Sequence, residues 1–130
     1  MVAKITIGLT TYRRKTFLKQ AIKSILSQNY KNFELLIGND YPSKKITLKD
    51  LGFNRDSRIK IINHKKNLGE VENLNYLLKK CNTEWFTWMA DDDQFHQNYL
   101  SILINHLESN KNYNRKLRKL LTPISFWGVL

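Results

Sequence analysis

Three consecutive carboxylates, Asp91, Asp92 and Asp93, follow an apolar run of residues 85–90. Acidic residues are scarce elsewhere, because the chain has 22 Lys and Arg against 11 Asp and Glu. Adjacent like charges repel one another, so the triplet costs stability unless solvent or a cation offsets the repulsion. One interpretation is a solvated acidic loop. The other is a site that binds something cationic.

Polar residues and one glycine stand at the ends of the other segments whose pattern predicts a strand. These residues are Thr10, Thr11, Tyr12 and Arg13 at the end of the first segment, Asn39 and Asp40 at the end of the second, and Asn67 and Gly69 after the third. In an open α/β sheet, ligands bind at the carboxyl ends of the strands. The sequence therefore predicts one rim that combines the ring of Tyr12, the carboxylate of Asp40 and the Asp triplet.

The elements that position this rim follow from the periodicity of apolar residues. Strand patterns at 3–11, 33–40, 58–64 and 84–90 are separated by helical patterns at 16–28, 70–81 and 98–108 and by a loop at 41–57 with one short helical turn. Thr16 and Asn98 are the expected N-caps of the first and last helices. The alternation predicts an α/β fold, a mostly parallel sheet with helices on both faces.

Length and charge set the class of protein. The 130 residues fit one domain with a net charge of +11, which favours phosphate-bearing partners or an anionic membrane surface. Residues 1–110 are expected to form the domain and residues 111–130 a basic and apolar tail. The single Cys81, together with the lack of any apolar run long enough to span a bilayer, indicates a cytoplasmic protein. Peripheral contact with the inner face of a membrane through the basic tail is compatible with this.

Four segments in this order resemble the nucleotide-binding half of glycosyltransferase family 2 enzymes with the GT-A fold. They are LTTYRR, SILSQNYKNFELLIGND, the NLG turn with Asn75 behind it, and ADDD after an aromatic-rich strand. The resemblance covers residues 5–107. It implies a nucleoside-diphosphate sugar donor, favouring UDP, and transfer to a saccharide or lipid-linked acceptor in cell-surface polysaccharide synthesis.

The resemblance also implies roles for individual residues. Tyr12 would stack on the base, and Asp40 would accept a hydrogen bond from the ring N–H of uracil or thymine. Asp92, with Asp93, would hold Mg2+ or Mn2+ against the diphosphate, since hard cations prefer oxygen ligands. Asp91 would assist through water or a sugar hydroxyl. The remaining donor-binding residues are Thr10, Thr11, Arg13, Asn67 and Gly69.

Several positions depart from the family pattern. Ala90 stands where the first Asp of the DxD motif is usual, and Leu74 where many members have an Arg that holds the base. No catalytic base is identified, because Glu108 is the only acid after Asp93 and lies within an amphipathic helix pattern. We therefore expect a donor-binding half-domain, truncated before the acceptor half.

Two other functions remain open at this point. The charge of +11 is also typical of a module that binds nucleic acid or an anionic membrane, for which binding would fall steeply with salt. Nucleic acid is the weaker of these partners, since the Asp triplet repels phosphates unless a metal is bound. An inactive truncated remnant is the last alternative.

Overall fold

Strands and helices alternate along residues 3–110, the part of the chain that the computed structural model describes. The elements are β1 (Ile5–Thr11), α1 (Lys15–Leu26), β2 (Phe33–Asn39), α2 (Leu48–Leu51), β3 (Ile59–Asn63), α3 (Glu70–Lys80), β4 (Trp85–Ala90) and α4 (Tyr99–Ser109). This order confirms the predicted alternation, and α2 is the short helical turn expected in the loop. The tail predicted at 111–130 lies outside the described residues.

The sheet has four parallel strands in the order β3-β2-β1-β4. All seven residues of β1 are buried, as expected of a central strand that is covered on both faces. At the carboxyl ends, Thr11 pairs with Asn39, Asn39 with Asn63, and Thr10 with Ala90. The residues that follow β1, β2, β3 and β4 therefore meet at one edge of the sheet, as predicted.

Helices cover both faces of the sheet, which confirms the predicted architecture. The main apolar core joins Ile7 and Leu9 of β1 to Ile22 of α1 and Ile104 of α4. On the other face, a side chain at Gly8 would meet Leu77 of α3. Because side chains alternate across a strand, α1 and α4 lie on one face and α3 on the opposite one. No helix within residues 3–110 is long and apolar enough to cross a bilayer.

The predicted N-cap of α1 is wrong. The predicted N-cap of α4 is the correct residue, but its side chain does not cap the helix. The first helix begins at Lys15, so Arg14 takes the cap position and Thr16 lies inside the first turn. The reason is a turn at Arg13, whose positive φ of 61° reverses the chain earlier than the sequence suggested. Asn98 does precede α4, but its side chain makes no capping bond and accepts instead from the Asn29 amide.

A buried polar contact holds α3 against β2. Asn73 donates from Nδ2 to the carbonyl oxygen of Gly38 at 2.9 Å, and its Oδ1 lies 2.8 Å from Nε2 of His64. Since Nδ2 is the donor to Gly38, Oδ1 must accept, which assigns the proton to Nε2 of His64. A Cβ at Gly38 would lie 2.0 Å from Asn73 Oδ1, so only glycine permits this approach.

We predict that Gly38→Ala destabilises the protein by about 2 kcal/mol or more, because the added methyl overlaps a buried amide. Urea denaturation measures the change. Gly52→Ala is the control without overlap: no atom lies within 4 Å of the place that its methyl would take, so its loss of stability is limited to the strain of a positive φ of 82°, which Gly38 does not have.

In the double variant Gly38→Ala/Asn73→Ala the overlapping amide is removed. The double variant should therefore lose less stability than the sum of the two single variants. Strictly additive losses would show that the Asn73 contact is not what excludes a side chain at Gly38.

Candidate functional site

A cleft of about 280 Å³ opens at the carboxyl ends of β1, β2 and β4. Its lining residues are Thr10, Thr11, Tyr12, Arg14, Asp40, Asn67, Gly69, Glu70, Asn73, Ala90 and Asp91. Most of the predicted site residues are among them. The predicted residues that do not line the cleft are Arg13, Asp92 and Asp93. Those that the sequence interpretation did not include are Arg14, Glu70, Asn73 and Ala90.

Asp40 anchors the turn that leads into α3. It is 5% exposed, and its Oδ1 and Oδ2 accept hydrogen bonds from the backbone N–H groups of Leu68 and Gly69 at 2.7 and 2.9 Å. Gly69 has a positive φ of 84°, which favours glycine at this turn. Each carboxylate oxygen has a second lone pair, so Asp40 can still accept a hydrogen bond from a ligand.

Tyr12 and Arg13 both contact Tyr41, which lies beyond β2. The Tyr12 ring meets the Tyr41 ring edge-on at 5.4 Å and remains 42% exposed, so a planar ligand has access to it. The Arg13 guanidinium lies over the Tyr41 ring at 4.9 Å. Arg13 is therefore positioned against an aromatic ring, whereas Tyr12 lines the cleft as predicted.

Arg14 connects the Asp triplet to the start of α1. Asp91 is 1% exposed, and its Oδ2 accepts from the Thr11 hydroxyl at 2.8 Å. Its Oδ1 lies 2.9 Å from one guanidinium nitrogen of Arg14, and the other nitrogen lies 3.3 Å from Asp92 Oδ2. A buried carboxylate is costly unless it is paired, and Arg14 supplies that pairing. The repulsion within the triplet is thus relieved by a side chain of the protein itself.

Asp92 and Asp93 lie toward solvent on the turn after β4. The Asp92 side chain is 49% exposed, and the Asp93 backbone N–H closes the turn on the Ala90 carbonyl at 3.1 Å. Across residues 3–110, no three His, Cys, Asp or Glu side chains form a group that could hold a metal by themselves. Mg2+ and Mn2+ do not require such a group, because one or two carboxylates suffice when phosphates supply further oxygens. The Arg14 guanidinium lies between Asp91 and Asp92, so a positive charge is accommodated there, and Asp92 would fit a metal whose remaining ligands came from a phosphate.

The residues missed from the sequence had weak signals. Arg14 could not be separated from Arg13 and Lys15, since three adjacent cations suit a solvated helix start as well as a phosphate site. Asn73 had a clearer signal, because it is a polar residue one helical turn before the buried Leu77. Only the tertiary contacts show that Arg14 faces Asp91 while Arg13 faces Tyr41.

We predict that Asp40→Asn lowers the free energy of unfolding by about 2 kcal/mol, because an amide leaves one buried N–H facing another donor. Urea denaturation is the measurement. Asp93→Asn is the matched control: it removes the same charge from an exposed position and should change stability by less than about 0.5 kcal/mol. Equal losses in the two variants would contradict the anchoring role of Asp40.

Solved structures share this fold. S. aureus TarS, crystallised in complex with UDP-GlcNAc, matches with a TM-score of 0.74 at 19% identity, covering 83% of this chain and 32% of that one. The mannosyltransferase PcManGT from Pyrobaculum calidifontis, in complex with GDP-Man and Mn2+, matches with a TM-score of 0.69 at 14% identity, covering 82% and 33%. At these identities the similarity establishes the fold, which is the predicted GT-A fold.

Sequence relatives are named glycosyltransferases. An uncharacterized glycosyltransferase of Rickettsia bellii is 31% identical over 108 residues, covering 83% of this chain and 16% of that protein. The GalNAc(5)-diNAcBac-PP-undecaprenol beta-1,3-glucosyltransferase of Campylobacter jejuni is 31% identical over 113 residues, covering 85% and 36%. The chain thus spans about a third or less of the length of these relatives. Residues 6–114 match the model of the family described as glycosyl transferase family 2. The chain, with the cleft inside the matched segment, belongs to glycosyl transferase family 2.

Proposed function

We propose that this chain is the donor-binding part of a glycosyltransferase, and that the cleft binds the nucleoside diphosphate of a UDP-sugar. The observation that carries the proposal is the convergence of Tyr12, Asp40 and Asp91 in one cleft. Family membership and the donor complexes of TarS and PcManGT support it. The acceptor is a saccharide or lipid-linked glycan, in keeping with the undecaprenol-linked substrate named for the Campylobacter relative.

Base recognition is assigned to Tyr12 and Asp40. The exposed ring of Tyr12 provides a surface on which a base can stack, with a contribution of about 1–3 kcal/mol. Asp40 accepts the N3–H of uracil through a lone pair that its two backbone hydrogen bonds leave over. This pairing would select uracil over cytosine, because N3 of cytosine is itself an acceptor. Thr10, Thr11, Asn67 and Gly69 complete the walls around the nucleotide.

The diphosphate is assigned to the end of the cleft that Asp91 and Arg14 line. Asp92, with Asp93 next to it, would hold Mg2+ or Mn2+, which neutralises the charge that develops on the leaving diphosphate. Asp91 positions this turn, since Thr11 and Arg14 hold both of its oxygens. We further propose that Asp91 contacts the donor through water or a sugar hydroxyl. Arg13 is given no contact with the donor in this proposal, because its guanidinium lies over the Tyr41 ring and the residue does not line the cleft.

We assign the acceptor site and the catalytic base to the part of the longer relatives that this chain does not match. The carboxylates that line the cleft are Asp40, Glu70 and Asp91. Asp40 and Asp91 are already committed to hydrogen bonds or an ion pair that hold the site together, and Glu70 stands in the first turn of α3, where its charge suits the helix dipole. We place the reaction in the cytoplasm, at the inner face of the membrane where a lipid-linked acceptor is presented.

A basic module for nucleic acid is the competing function, and only the charge of +11 favours it. Its binding would fall steeply with salt and would not require Asp40 or Asp92. An inactive remnant is the other alternative, and a melt without a cooperative transition would favour it. Carboxylates in the cleft disfavour direct phosphate binding without a cation.

We predict that Mn2+ raises the affinity for UDP at least about tenfold, a typical coupling between two ligands of one site. Calorimetric titration of UDP with and without Mn2+ measures it. Asp92→Ala should abolish this gain, whereas Asp93→Ala should reduce it less, because Asp92 is the carboxylate that pairs with Arg14 at the cleft. Equal UDP affinity with and without Mn2+ in the wild-type chain would reject metal-dependent donor binding.

Replacing UDP by CDP in the wild-type chain tests Asp40 without disturbing the turn that it anchors. We predict at least about tenfold weaker binding of CDP, because its N3 and the Asp40 carboxylate are both acceptors. Equal affinities for the two nucleotides would exclude Asp40 as the reader of the base.

A further inference from the structure

We propose that Arg14 is a built-in counter-ion for the Asp triplet, one that keeps the metal from binding tightly until the donor arrives. In the nucleotide-free protein, the Arg14 guanidinium occupies the cation position between Asp91 and Asp92. When the donor binds, Arg14 gives up Asp92 to the metal and turns to the diphosphate. This inference rests on the proposed function, since it assigns a positioning role within the same cleft.

The two contacts of Arg14 differ in a way that allows such an exchange. Its contact with Asp91 is 2.9 Å long and reaches a carboxylate that is 1% exposed and also bound by Thr11. Its contact with Asp92 is 3.3 Å long and reaches a carboxylate that is 49% exposed. An exposed ion pair contributes little to stability, so the Asp92 contact is the one that a competing cation can replace.

Arg14 and a divalent metal compete for the same negative charge. A guanidinium within contact distance of Asp92 repels a cation approaching that carboxylate, and it occupies one of the oxygens that the cation needs. The diphosphate of the donor adds negative charge to the cleft and changes this balance. Both cations then have partners, since a guanidinium can bind phosphate in a bidentate manner and Arg14 already lines the cleft. Metal and donor therefore bind cooperatively.

The backbone directs Arg14 to this place. Arg13 has a φ of 61°, a conformation uncommon for residues other than glycine, and strained residues often occur at functional sites. With this turn, the Arg13 side chain lies over the Tyr41 ring and the Arg14 side chain lies against the Asp triplet. Two adjacent arginines thus have separate environments. Arg13 provides a control that removes the same charge one residue away.

Binding of MnCl2 alone, followed by the electron paramagnetic resonance signal of free Mn2+, tests the competition in the 130-residue chain. We predict that Arg14→Ala binds Mn2+ more tightly than the wild type, on the order of tenfold, a typical coupling between sites. Arg13→Ala should change the Mn2+ affinity much less, because the Arg13 guanidinium lies over the Tyr41 ring and pairs with neither Asp91 nor Asp92. In calorimetric titrations, the factor by which Mn2+ improves UDP binding should shrink in Arg14→Ala and persist in Arg13→Ala.

A thermal melt shows whether Arg14→Ala folds, because Asp91 loses a partner in this variant. If it does not, the test compares Arg14→Lys with Arg13→Lys. An ammonium lacks the planar fork that bridges two carboxylates, so Arg14→Lys should still bind Mn2+ more tightly than the wild type. Arg13→Lys should not.

Equal Mn2+ affinities in the Arg14 and Arg13 variants would overturn the counter-ion role. That result, with Mn2+-dependent UDP binding intact in the wild type, would leave the proposed function standing. Tighter Mn2+ binding by Arg14→Ala in a chain that does not bind UDP would support the counter-ion role and reject the proposed function.

Discussion

The parallel pairing of β1 with both β2 and β4 is the constraint on which the site depends. β1 is buried along its whole length, and its register places Thr11 beside Asn39 and Thr10 beside Ala90. Parallel strands end on the same side of a sheet, so the segments after them converge although they are far apart in the chain. The cleft is a direct consequence of this convergence. Gly38 allows α3 to pack beside this cleft, because only glycine leaves room for Asn73 to bond to the β2 backbone.

The charges of the protein are organised in two separate ways. Within residues 3–110 the Lys and Arg side chains lie at or near the surface, where they raise the attraction for anions over long distances. The buried carboxylates Asp40 and Asp91 are instead held by specific partners, backbone N–H groups for one and Thr11 with Arg14 for the other. In the proposed function, an anionic ligand is therefore attracted by the protein as a whole and binds in a cleft whose carboxylates are already held by other groups.

The contrast between Asp40 and the Asp triplet shows how one residue type serves two purposes. Asp40 stabilises the turn before α3 and, in the proposed function, also reads the base. Such a double role makes stability and binding difficult to separate by mutation, which is why changing the nucleotide is more informative there. At the triplet the roles are divided among neighbours: Asp91 is buried and closely paired with Arg14, whereas Asp92 is half exposed and its contact with Arg14 is longer.

The sequence by itself determined the order of elements, the parallel α/β class and most of the cleft, from Thr10 through Asp40 to Asp91. These follow from local periodicity and from the rule that parallel strands end at one edge. Only the tertiary structure decided that Arg14, and not Arg13, contacts the Asp triplet. It also decided that α1 begins at Lys15, before the predicted cap Thr16, and that Asn73 lines the cleft. Each of these depends on one turn or on one close approach between distant segments. A local pattern does not contain such contacts, because their energy comes from residues that meet only in the folded chain.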